Sequence, residues 1–172
     1  MNKKSLLIAA AVILVVLAAA LAWNFFGGEE GVSAGAEAVI RAATTGPNPD
    51  LYNPEASMQI GLGAEPTEEE RAAAQKAAEQ QQANWEAAVG QYFAEGALEQ
   101  FINNGYAMGY LMTADAAGQT LETGELTLVE KTDSHETVDF TYLLGGTEYQ
   151  VRAEFSVGAD GLISRAEFVA VS

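Results

Sequence analysis

The chain offers little to nucleophilic or metal chemistry. It has no cysteine, and its one histidine, His135, follows Asp133-Ser134 and precedes Glu136 in a stretch that reads as a hairpin turn. Thiol nucleophiles and disulfides are therefore excluded. A single imidazole on a solvated turn also lacks the buried, oriented partner that a catalytic dyad needs. One histidine without cysteine cannot build an ordinary zinc site. Carboxylates are plentiful, but no Asp-x-Asp-x-Asp-Gly loop is present, and Asp160-Gly161 has the chemistry of a turn. The run Glu68-Glu69-Glu70 reads as charge placed at the positive end of a helix dipole. Gly105, Gly109, Gly118 and Gly124 are scattered at turns and strand edges and form no phosphate loop. No metal and no cofactor is expected.

The aromatic residues leave two readings open. Trp85, Tyr92 and Phe93 stand at helical spacing, whereas Phe140, Tyr142, Tyr149, Phe155 and Phe168 stand in alternating, strand-like segments. If helix and sheet close on one another, these side chains are a core. If they do not, the same side chains line an apolar pocket whose tyrosine hydroxyls orient a small ligand. An acid/base enzyme on this framework would draw on Tyr92, Tyr106, Tyr110, Tyr142 or Asp115.

The elements that position these groups follow from periodicity. Ser33 is a helix cap, and Ala36, Val39, Ile40 and Ala43 make one apolar stripe behind it. Pro47, Pro49, Pro54 and Pro66 mark a long irregular segment, within which Leu51, Tyr52, Met58, Ile60 and Leu62 are apolar and expected to pack. Thr67 and Glu70 form a capping box for a helix expected to run to about Glu95 and to break at Gly96. Ala97 to Ile102 adds a turn or two, ended by Asn103-Asn104-Gly105. The period then changes from 3.6 to 2. Strands are expected over Glu122 to Lys131, Thr137 to Leu144, Glu148 to Val157 and Leu162 to Val171, with Tyr106 to Thr113 as a fifth. Gly145-Gly146 is a tight hairpin, and Tyr149, Val151, Ala153 and Phe155 are expected to face inward, as are Ala166, Phe168 and Ala170. Helices then cover one face of a curved antiparallel sheet of four or five strands, an α+β fold.

Charge and hydropathy place this domain. Lys3 and Lys4 precede an unbroken apolar run from Leu6 to Ala22, followed by Trp23, Phe25 and Phe26. About 20 residues at roughly 1.5 Å each span a hydrocarbon core of about 30 Å. The flanking lysines and Trp23 set the N-terminus inside and the rest outside. The run exceeds an ordinary signal-peptide core, so an uncleaved transmembrane anchor over 1–26 is favoured over secretion after cleavage near Ala22. Residues 27–32 form a stalk and 33–172 the extracytoplasmic domain. All 24 acidic residues lie beyond the anchor, against six basic ones, a balance of −18. Such a surface repels nucleic acid and is foremost a device for solubility. The expected partners are the membrane, through residues 6–26, and a small apolar ligand or another envelope protein.

The helix with its loop from Ala36 to Tyr52, the segment WEAAVGQYFAEGALEQF from Trp85 to Phe101, and the meander TVDFTYLLGGTEYQVRAEFSVGADGLISRAEFV together resemble the cystatin-like α+β roll of the NTF2-like superfamily. The resemblance covers about residues 33–172 and rests on element order. It implies a small membrane-anchored member of the kind found in Gram-positive bacteria. Catalytic members place Asp, His or Tyr inside the cone, but the inward positions of this chain are apolar or aromatic. The resemblance therefore implies a non-catalytic binding module of the cell envelope. An isomerase- or hydrolase-type enzyme is the alternative, and an accessory subunit of an envelope complex is another.

Overall fold

A computed structural model describes residues 31–54 and 67–171. The anchor and most of the stalk, together with Met58, Ile60, Leu62 and Pro66, lie outside the described residues. Among the described residues no helix is long and apolar enough to cross a membrane. Val32–Ser172 is one compact unit, and its architecture is α+β, built on one sheet of four antiparallel strands in the order β1-β2-β3-β4.

The strands are β1 (Leu121–Lys131), β2 (His135–Leu144), β3 (Thr147–Val157) and β4 (Ile163–Ala170). Local chemistry sets each reversal. Gly145 and Gly146 both have positive φ, 56° and 84°, which only glycine adopts without strain, and Leu144 pairs directly with Thr147 across them. At the next turn Gly161 takes φ 80°, while Asp160 Oδ1 accepts from the Leu162 amide at 3.1 Å. His135 opens β2 rather than sitting in the preceding turn, and its Nε2 lies 2.9 Å from Thr137 Oγ1. Two register shifts interrupt β1, one between Thr123 and Leu126 and one between Leu128 and Glu130. Bulges of this kind bend a strand and raise its twist.

Among the described residues there are four α-helices, each of which buries residues in the core on one side of the sheet. Helix α1 is Ala34–Thr44, α2 is Glu68–Val89, α3 is Ala97–Asn103 and α4 is Gly109–Ala117. Ser33 caps α1 through its hydroxyl, which accepts from the Ala36 amide at 3.1 Å. The buried carboxylate of Glu136 also accepts from the Ser33 amide at 2.6 Å, so an acidic group from β2 faces the positive end of α1. The capping box of α2 is present as expected, with both Thr67–Glu70 bonds made.

Four expectations are corrected. Tyr106 to Thr113 contributes no strand, because α4 takes most of it. Ala107, Leu111 and Ala114 are buried at intervals of four and three residues, a helical spacing that outweighs the alternation of Tyr106, Met108, Tyr110 and Met112. Helix α2 stops at Val89, ahead of Glu95. Gly90–Tyr92 tightens into a 3₁₀ turn, and the chain then leaves in extended form so that the Ala94 amide can donate to the Ile163 carbonyl at 2.9 Å. Gly96, expected to break that helix, instead precedes α3 with φ 76°. Tyr149 and Ala170 share the inward face by alternation yet are exposed.

Candidate functional site

The aromatic residues singled out from the sequence meet, for the most part, in a closed core. Trp85 and Phe155 expose none of their surface and Phe140 exposes 1%. Phe168 touches Phe101 at 5.5 Å and Phe140 at 5.3 Å between ring centroids, both edge-on. Phe93 reaches the same Phe101 at 5.7 Å. Edge-to-face packing at these distances fills the space between helix and sheet. Phe101, which carries the centre of this cluster, was not among the expected site residues, although it stands three residues after Leu98, a helical spacing of two apolar residues.

The tyrosines lie at the margin of that core, most of them half-buried against it. Tyr92 is half-buried, with its ring close to Gly35. Tyr106 packs beside Phe101 at 6.1 Å and Phe168 at 6.3 Å. Tyr110 meets Tyr142 at 5.0 Å, and Tyr142 in turn stacks on the exposed Tyr149 at 5.1 Å. Tyr110 and Tyr142 flank a small hollow of about 210 Å³ that they share with Leu121 and Leu144. Burial, and then the neighbouring Tyr142, push the Tyr110 phenol up to about 12. Burial and Tyr149 push Tyr142 in the same direction. A phenol shifted upward stays protonated at neutral pH and is poorly matched to proton transfer there. Asp115 does not line this hollow, so the acid/base candidates do not converge on one site.

A larger opening lies on the other side of α4. It is a groove of about 480 Å³ between the proline segment and the C-terminal end of that helix. Gly46 and Leu121 exchange two backbone bonds, of 2.8 and 3.0 Å, which join the end of α1 to the start of β1. The hydroxyls of Thr44 and Thr45 lie 2.9 and 2.7 Å from Thr123 Oγ1 and reinforce that junction. A side chain at Gly46 would crowd Leu111 at 3.1 Å, so glycine permits the close approach. From there Pro47, Asn48, Pro49, Tyr52 and Pro54 form one wall. Leu111, Ala114 and Asp115 of α4 form the other, with Gly118, Gln119 and Thr120 at the floor.

Helix α2 holds the first wall in place. Trp85 Nε1 donates to the Leu51 carbonyl at 2.9 Å, and Asn84 Nδ2 donates to the Asp50 carbonyl at 2.7 Å. Gln81 Oε1 accepts from the Asn53 amide at 3.0 Å. Gln81, Asn84 and Trp85 are spaced i, i+3, i+4 and so share one helix face. They satisfy backbone groups that no sheet satisfies, which lets an irregular segment pack closely. The groove is therefore preformed. Its signal in the sequence was the pair Leu51-Tyr52 inside the proline run; its far wall came from a helix that alternation had disguised.

Among the described residues no group of three or more His, Cys, Asp or Glu is arranged to hold a metal ion. No protein-family model, no curated protein and no solved structure matches this chain.

Proposed function

We propose that the chain is a single-pass membrane protein whose extracytoplasmic domain is a non-catalytic binding module of the bacterial cell envelope, and that the ligand enters the groove beside α4. The observation that carries this reading is the contrast between a closed aromatic core and a preformed, largely apolar groove of about 480 Å³, within the range of small-molecule sites. The run Leu6 to Ala22 supports the anchor. Helices followed by an antiparallel meander support the NTF2-like reading of the fold.

A fragment screen by methyl NMR on the full chain in phospholipid nanodiscs tests the proposal. Small apolar fragments should shift the Leu111 and Ala114 methyls and leave those of Leu144 unmoved. Shifts confined to Leu144 and the tyrosine hollow would remove the groove from consideration. Extraction of the chain from membranes by carbonate, with a mature mass starting after Ala22, would overturn the anchor.

A further inference from the structure

We propose that the groove selects a small organic cation, an amine or quaternary ammonium carried on an apolar body. The inference rests on the groove being the binding site and adds the class of its ligand.

Asp115 is the only charged side chain among the described residues that line the groove. It stands in the last turn of α4, a nine-residue helix with no basic residue in that turn. The C-terminal end of a helix carries partial negative charge, and cations are the groups favoured there. A carboxylate at that end is therefore placed against the dipole. Gly118, in the left-handed conformation at φ 62°, closes the helix by donating to the Asp115 carbonyl at 2.9 Å, and the Gln119 amide donates to that of Ala114 at 3.0 Å. These bonds satisfy two terminal carbonyls but bring in no positive charge.

The groove thus gathers a carboxylate and a helix C-terminus of like sign at one wall, inside a domain whose formal balance is −18. A cation in the groove would relieve that local repulsion. The proline wall, which includes Tyr52, supplies apolar surface for the rest of the ligand and an aromatic side chain, the residue type that attracts ammonium groups. Its volume suits one small molecule rather than the broad face that a stable protein partner needs.

Three probes of matched size and different charge test the inference on the full chain in zwitterionic nanodiscs: phenylbutylamine, phenylbutanol and phenylbutyrate. Binding is read from the Leu111 and Ala114 methyl shifts at low ionic strength. The amine should bind at least about fivefold tighter than the alcohol, and the carboxylate weakest. Asp115→Asn, at an exposed position, should cut the preference for the amine about threefold and leave the affinity for the alcohol unchanged. Equal affinity for amine and alcohol would overturn the choice of ligand class while leaving the groove as the site. An Asp115→Asn variant with an undiminished preference would do the same. Absence of shifts at Leu111 and Ala114 with every probe would remove both the ligand class and the groove reading.

Discussion

The hydroxyl of Tyr110 is held neutral by its surroundings, and this couples stability to alkaline pH. In the unfolded chain the phenol loses its proton near pH 10, whereas in the folded domain burial and the adjacent Tyr142 delay the loss to about pH 12. Between those values the unfolded state binds fewer protons. The contribution is therefore fully present below the unfolded pKa and is lost as pH rises through the folded one. The whole loss is on the order of 2 kcal/mol. Urea unfolding at about pH 9 and about pH 11 should show the wild type losing roughly 1 kcal/mol more than Tyr110→Phe over that interval. Equal losses would mean that Tyr110 is not shielded in solution. The sequence showed where tyrosines stand in the alternation but not how far each lies under a helix. Tyr142 and Tyr149 are cross-strand partners on one face, yet only the first is covered by α4. Asp115 was legible as a carboxylate of interest, but its neighbours come from the proline segment, more than sixty residues away in the sequence.

Helix α2 is held in two different ways along its length. Its buried residues are Gln81, Trp85 and Val89, all in its C-terminal half. Its first half is exposed and depends on local forces: the Thr67 amide donates to Glu70 Oε2 at 2.7 Å, and the Glu70 amide donates to Thr67 Oγ1 at 3.2 Å. The bonds from Thr67 also lower the Glu70 pKa, backbone first and hydroxyl second. Thr67→Ala should therefore speed amide exchange in the first turns of α2 about fivefold and leave the protection of β2 and β3 unchanged. Equal loss of protection in both regions would show that the cap is coupled to the core. That cap was readable because every part of it lies within four residues. The end of the same helix was not, since it is fixed by the bond from Ala94 to Ile163, a strand contact made across the chain. The Tyr106–Thr113 segment failed for a related reason: its alternating large residues suit a strand, and only the burial of Ala107, Leu111 and Ala114 by other elements decides for a helix.

At the scale of the whole molecule, charge opposes the fold. The chain holds 24 acidic residues against eight basic ones, and two of the latter, Lys3 and Lys4, lie in the N-terminal segment. Three ion pairs are formed among the described residues, Arg41–Glu37, Arg152–Asp139 and Arg165–Glu167. Salt acts on both terms, weakening the pairs and weakening the repulsion. Arg41–Glu37 and Arg165–Glu167 lie at the surface, where such contacts contribute little, and only the half-buried, bidentate Arg152–Asp139 pair is better placed, whereas the excess of negative charge repels itself across the entire domain. Repulsion therefore wins, and the sign of the salt effect follows. Raising sodium chloride from about 20 mM to about 200 mM shortens the screening length from roughly 20 Å to roughly 7 Å, well below the width of the domain. The thermal midpoint should rise by about 4 °C, the shift that corresponds to about 1 kcal/mol for a domain of this size. Potassium chloride should do the same at equal ionic strength, because screening depends on charge and not on the identity of the cation. A midpoint that stays constant or falls in both salts would show that the ion pairs outweigh the net charge. A rise with sodium alone would point to specific binding of the ion rather than to relief of repulsion.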